Sequence, residues 1–300
     1  ARFLEALRMS TPAPLVFGPY DQVALDREYN NREKVADAAE IGARWISAGA
    51  EVRRMMSCEI DVDYGSHPRQ CYDVFPAEGR ERPILAFIHG GYWHSREKDL
   101  VHFLAPPYVA SDVTFISIDY RLCPEVGIGD VVADVADALR HIHANARTYN
   151  GDPRRIHVAG HSAGGHLTAM MCGPRGVPDL LKGGCSVSGL HDLEPIRLSY
   201  LNEQLNLAPD DVPGLSPIAL TEEIAAGAKL PPLIATVGGD EGPEYLRQRD
   251  RLVAALHAKK QPALAVEVPG GNHFTALEAF GDPHHELCLA MLRQILSPSL

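Results

Sequence analysis

The sequence predicts an α/β fold with a mostly parallel central sheet, helices on both faces and an antiparallel N-terminal edge. Three observations carry this. Short apolar runs bounded by turn residues alternate with amphipathic stretches of about 10–15 residues, the pattern of repeated βαβ units. The runs are nearly all apolar instead of alternating, as expected of strands covered on both sides. Two early β-like segments follow one another with only a turn between them, which suits antiparallel pairing.

The elements follow in order. Residues 28–48, "EYNNREKVADAAEIGARWISA", suit a helix, with Val35, Ala38, Ala39, Ala43 and Ile46 at mixed three- and four-residue spacing. Residues 57–64 and 71–75 suit the two early strands, with a turn at "YGSHPRQ". Strands are then expected at 83–90, 113–120, 155–162, 183–190, 230–239 and 263–271. Helices are expected at 99–111 (at least to its proline pair), 129–149, 163–171, 243–260 and 284–296. The stretch 190–228 interrupts the alternation and reads as a cap-like excursion. Residues 1–19 read as an N-terminal tail, partly disordered or vector-derived, ahead of a single domain over 20–300.

The chain has 300 residues and a formal net charge of −11. Its length suffices for a substantial core with no metal or disulfide staple. The acidic balance disfavours a nucleic-acid or anionic-membrane surface, which needs clustered basic residues. No apolar run reaches eighteen residues, so no membrane span is expected, and "ARFLEALRMSTPAP" does not read as a signal peptide. The six cysteines are scattered and form no C-x-x-C pair. They read as small buried thiols of a cytoplasmic protein. The sequence leaves the oligomeric state open, a homodimer included.

The main chemical signal is Gly160-His161-Ser162-Ala163-Gly164, a G-x-S-x-G pattern after a predicted strand and before a predicted helix. Such a turn needs small residues on either side and lifts the serine Oγ above the sheet. A serine hydroxyl is a weak nucleophile near neutral pH and needs a base. It also needs donors for the oxyanion of its intermediate. "HGGYWHS" (89–95) lies just past the strand residues 83–88, where an oxyanion loop would stand. The expected donors are the N–H groups of Gly91, Tyr92 and Ala163. His89 reads as structural, a hydrogen-bonding anchor for that loop. His273, in "PGGNHFTAL" after the final strand, is the candidate base, whereas His161 and His166 beside the serine read as packing residues. Two adjacent carboxylates, Asp240 and Glu241, follow the 230–239 strand. Either can orient the imidazole, and Asp240 can alternatively cap the next helix.

At these residues the sequence resembles the α/β-hydrolase superfamily. Within it, the chain is similar to the kynurenine formamidase (arylformamidase)-like branch, related to hormone-sensitive-lipase-type esterases. The resemblance runs from about Tyr20 to the end. It rests on "HGGYWHSREKD", "DYRLCPEVGI", "YNGDPRRIHVAGHSAGGHL", "SVSGLHDLEPI", "EGPEYLRQ" and "NHF". Esterase relatives usually read HGGG, whereas here Tyr92 and Trp93 follow the second glycine. The superfamily's chain order places the acid between the serine and the histidine. The pattern "EGPEYLRQ" then implies Glu241 as the acid, with Asp240 as the alternative.

The resemblance implies a serine hydrolase working through Ser162, His273 and Glu241 on a small ester or aryl formamide, with no cofactor and no metal. Tyr92, Trp93, Leu190 and Phe274 are the expected substrate-binding residues, with Leu193, Tyr200, Tyr29 and Trp45 as further pocket candidates; a core role is the alternative for each, and the favoured one for Trp45. A general short-acyl carboxylesterase and a specialised amide or carbamate hydrolase stay open, as does a non-catalytic binding protein on the same fold.

Overall fold

The computed structural model describes residues 13–297. The first twelve residues of the expected tail lie outside the described residues. Within the rest of that tail, strand β1 (Leu15–Phe17) turns at Gly18 and pairs antiparallel with β2 (Tyr20–Asp21).

The central sheet contains β3 (Glu59–Asp63), β4 (Cys71–Phe75), β5 (Arg82–Ile88), β6 (Thr114–Ile118), β7 (Gly151–His161), β8 (Leu181–Val187), β9 (Leu233–Gly238) and β10 (Ala263–Val268). Their spatial order is β10-β9-β8-β7-β5-β6-β4-β3. Six strands run parallel, and β4 and β3 close one edge antiparallel, as expected.

Side-chain alternation divides the core between two faces. Ile84, Ala86 and Ile88 of β5 pack with the helices Ile128–Asn145 and Ala163–Cys172. Leu85 and Phe87 pack on the other face against Ala38–Met55, Thr275–Gly281 and Glu286–Leu296. The Ile128–Asn145 helix shows why it forms. Ile128, Val131, Val135, Ala138, Leu139 and Ile142 make one buried stripe at helical spacing, and Asp130 accepts from the Gly127 N–H to cap its start.

The expected 28–48 helix is two helices, Gln22–Tyr29 and Ala38–Met55, joined by a single turn at Asn31–Lys34. The break occurs because Asn31 and Lys34 turn inward to buried polar partners and Val35 becomes extended. The proline pair 106–107 lies in the first turn of Ala105–Val109, where a missing N–H costs no helical bond. The helix Thr275–Gly281 carries no period long enough to reveal it in the sequence. All six cysteines are unbridged, and five are buried.

Asp61, Asp73, Asp99 and His102 form a charged cluster on the β3–β4 side. Asp73 Oδ2 and His102 Nε2 are 2.8 Å apart. Lys98 Nζ lies 2.6 Å from Asp61 Oδ1 and 3.4 Å from Asp73 Oδ1, so the ammonium supplies the cation that the carboxylates require.

Candidate active site

The strand order reverses around β5. The chain passes from β5 to β6 on one side, then crosses to β7 on the other. The two connections leave a crevice beyond the strands' C-terminal ends, the usual ligand position in an open α/β sheet. β5 delivers the 89–95 loop to this crevice and β7 delivers Ser162.

Ser162 has φ +58° and ψ −117°, a conformation L-residues rarely adopt. Such a residue stays so only when its surroundings fix it. Its N–H donates to Val187 O at 2.8 Å. A Cβ on Gly164 would collide with the Ile88 carbonyl, and one on Gly160 with the Gly164 carbonyl. Both glycines therefore permit the close approach of helix and strands at the turn. The Ala163 N–H opens the following helix, where the first N–H groups have no intrahelical acceptor.

The 89–95 loop runs alongside. A Cβ on Gly90 would stand 3.1 Å from Ser162 Cβ, and Gly91, Tyr92 and Trp93 all have positive φ. His89 anchors the loop's start. It is buried, bonded to Gly90 O and to Asp119 Oδ1, and stacked on Tyr120 at 4.3 Å. The Tyr92 ring is pinned at its tip. Its hydroxyl donates to Tyr29 O at 2.6 Å and accepts from Asn31 Nδ2 at 3.0 Å. Tyr245 Oη lies 2.9 Å away and itself accepts from Asn31 at 2.6 Å.

His273 and Glu241 are both buried. His273 Nδ1 donates to Glu241 Oε2 at 2.7 Å. Glu241 Oε1 accepts from Ser188 Oγ at 2.5 Å and from the Gly238 N–H at 2.6 Å. Lys34 donates to the Glu241 carbonyl. The acid's turn and the histidine's loop are joined directly: Gly239 N–H donates to Val268 O and Asp240 N–H to Gly271 O. Asn272 Oδ1 accepts from the N–H groups of Phe274 and Thr275 and shapes the loop from within. Asp240 itself is exposed. It caps nothing: the N-cap of the Pro243–Ala258 helix is Gly242, with no side-chain bond. That corrects the alternative structural role for Asp240.

His161 and His166 are structural, as expected. Burial and neighbouring His273 hold the His161 imidazole well below its usual pKa. It donates Nε2–H to the His273 carbonyl at 2.7 Å. Burial lowers His166 to about 4. It accepts from Trp93 Nε1 and donates to Leu215 O.

Ser162, His273, Gly91, Tyr92 and Phe274 line one cavity of about 410 Å³, together with Trp45 and Leu277. Two expected pocket residues do not reach it. Trp93 is fully buried, because its indole turns away from the cavity to donate Nε1–H to the buried His166. Leu190 is also fully buried, packed in the core between sheet and excursion. Leu193 and Tyr29 are core residues too. From the excursion, Tyr200 and Leu201 contribute to the wall. Trp45 serves both pocket and core: it stacks on Phe103 at 5.3 Å and donates Nε1–H to Glu278. The sequence reading missed Asn30, Asn31, Arg32, His94 and Arg96, which also line the cavity. No periodicity marks them, since they lie on turns.

The fold and the buried histidine–carboxylate pair beside an elbow serine define the class: a serine hydrolase of the α/β-hydrolase fold. More particularly, the chain belongs to the prolyl oligopeptidase family, whose family model matches residues 129–296, and lies in the kynurenine formamidase-like branch related to hormone-sensitive-lipase-type esterases. The BD-FAE family model matches residues 73–183. Kynurenine formamidase of Danio rerio is 26% identical over 257 residues, 83% of this chain and 86% of its own. Kynurenine formamidase of Salmo salar is 25% identical over 276 residues, 89% and 92% of the two chains. A Silicibacter crystal structure with the provisional name of a thioesterase is 28% identical. It covers 91% of this chain and 99% of its own, with a TM-score of 0.79.

Proposed function

We propose that the chain hydrolyses a small aryl formamide or short-acyl ester through an acyl-enzyme. Ser162 is the nucleophile, His273 the base and Glu241 its orienting partner. His273 Nε2 takes the Ser162 proton as Oγ bonds to the carbonyl carbon. The N–H groups of Gly91, Tyr92 and Ala163 stabilise the oxyanion, each donor of this kind being worth ~10²–10³ in kcat. The tetrahedral intermediate collapses, its C–N or C–O bond breaks, and His273 returns the proton to the leaving amine or alcohol. Water, deprotonated by His273, then attacks the acyl carbon and releases formate or another acid, restoring Ser162. Glu241 holds the Nδ1–H and stabilises the imidazolium.

The observation carrying this reading is the buried 2.7 Å His273–Glu241 bond beside the positive-φ serine in one cavity. The aryl formamide is favoured by the flat apolar walls of Trp45 and Phe274 and by the two kynurenine formamidase relatives. An ester reading is favoured by a carboxylesterase of Mycobacterium tuberculosis, 39% identical over 90 residues. Turnover of N-formylkynurenine, aryl carbamates and short p-nitrophenyl esters by wild type and Ser162→Ala separates these readings. Good ester cleavage with no release of formate from N-formylkynurenine removes the formamidase version. Undiminished turnover in Ser162→Ala removes the mechanism.

A further inference from the structure

The turn that carries Glu241 is held from two sides. Up to Asp240 its partners belong to the last strand and its loop: Gly239 N–H donates to Val268 O and Asp240 N–H to Gly271 O. From the Glu241 carbonyl onward, partners come from the N-terminal segment. Lys34 Nζ donates to Glu241 O at 2.5 Å, and Glu28 Oε1 accepts from the Glu244 N–H at 3.1 Å. The second bond meets an open N–H in the first turn of the Pro243–Ala258 helix, where Gly242 brings no side chain to cap it. A carboxylate also suits the positive end of a helix.

Glu28 and Lys34 are joined to each other as well. Lys34 Nζ donates to Glu28 O at 2.9 Å and lies 3.6 Å from Glu28 Oε2. Gly242, with φ +112°, passes against both: a Cβ there would stand 2.5 Å from Glu28 Oε1 and 2.8 Å from Lys34 Nζ. Both charged residues are half-buried. Burial pulls the Lys34 ammonium below its usual pKa, and the charges of Glu28 and Glu241 oppose that pull. An ion pair taken out of water adds little net stability, so its place beside the acid calls for another role.

We propose that Glu28 and Lys34 are positioning residues for the triad acid, clamping the 241–244 turn so that the Glu241 carboxylate stays on His273 Nδ1. A glutamate has one more rotatable bond than an aspartate, so its aim depends on how firmly its backbone is held. Lys34 fixes the Glu241 carbonyl, and Glu28 fixes the start of the helix that follows. Neither side chain lines the substrate cavity, so the pair acts through Glu241 and not on substrate. This rests on reading Glu241 as the acid that orients His273.

Phosphonylation of Ser162 in the full chain by a fluorophosphonate ester tests the clamp without a known substrate. Oγ bonds to phosphorus, fluoride leaves and His273 takes the proton, so the maximal rate, kinact, reads the triad and KI reads the cavity. Lys34→Met is expected to lower kinact at least tenfold, up to the ~10² of a misplacement of about 1 Å, with KI within twofold of wild type. Glu28→Ala should lower kinact at least threefold. Lys34 also lines a second cavity of about 260 Å³ with Asp240, Glu241, Asn272 and His273. Ethylammonium can therefore enter Lys34→Ala there, and should raise its kinact at least fivefold while leaving Lys34→Met unchanged. In a Glu241→Gln background, Lys34→Met should cost less than twofold, because no triad carboxylate is left to place. A Glu241→Gln variant with wild-type kinact sinks the proposed acid, whatever Lys34 does. With Glu241→Gln impaired, a Lys34→Met variant within twofold of wild type overturns the clamp. An equal loss in both backgrounds overturns it too, as does a Lys34→Ala variant to which ethylammonium restores nothing.

Discussion

His273 Nδ1 stands 2.7 Å from Glu241 Oε2, both groups buried, while the neighbouring carboxylate of Asp240 points to solvent. One methylene and one position in the chain separate two acids with different surroundings. Glu241→Gln is expected to lower kcat by ~10³–10⁴, as when a triad carboxylate becomes an amide. Asp240→Asn should stay within about threefold of wild type, an exposed charge being well screened. Steady-state kinetics on one ester decides it, and the reverse ranking would assign the role to Asp240.

The segment 29–34 reaches into the site from outside the sheet. Asn31 binds both Tyr92 and Tyr245, and Tyr92 carries one of the proposed oxyanion donors on its backbone. Asn31→Ala should lower kcat by ~10–100-fold, no more than the loss of one such donor. KM should change less, because the ground-state contacts remain. Tyr245→Phe should move kcat in the same direction. If both variants retain wild-type kcat, the loop holds its conformation without this network.

Gly164 sets the depth at which the helix meets β5. An added Cβ would strike the Ile88 carbonyl, and backbone on both sides prevents a local escape. Gly164→Ala is expected to lower stability by roughly 3 kcal/mol or more, at the upper end of overpacking costs. Chemical denaturation measures this. A midpoint close to wild type would mean that the elbow has slack.

Buried neutral histidines should make the fold acid-sensitive. Burial lowers His157 to about 4, His166 to about 4 and His191 to about 3. Their folded values lie below the unfolded value near 6.5, so the unfolded chain binds protons first. Their stabilising contribution is complete above about pH 6.5 and falls as pH drops towards the folded values. Each contributes a slope of up to ~1.4 kcal/mol per pH unit in that window. Urea midpoints measured from pH 7 to pH 5 should decline steeply, and His157→Gln should flatten the decline. A flat profile across that range would contradict the assignment.

Much of the site was legible because its chemistry depends on local sequence. G-x-S-x-G marks a turn that only small flanking residues permit, and the glycine pair 90–91 marks a loop that approaches closely. Periodicity likewise located the Ile128–Asn145 and Pro243–Ala258 helices to within a few residues. It failed at 28–48, where the chain breaks for side chains whose partners lie more than sixty residues away: Asn31 for Tyr92 and Tyr245, Lys34 for Glu241. The expectation of Trp93 and Leu190 in the pocket failed for another reason: an aromatic or aliphatic residue next to a site has no local mark of the direction it faces.

The sequence by itself determined the alternation of strands and helices, the antiparallel edge and the residue types available for acyl transfer. These follow from backbone sterics and from the period of apolar residues, both properties of short segments. The tertiary structure decided which carboxylate meets the imidazole, and which aromatics form walls and which form core. Those outcomes depend on side-chain direction and on contacts between distant segments, which are fixed only when both faces of the sheet are packed.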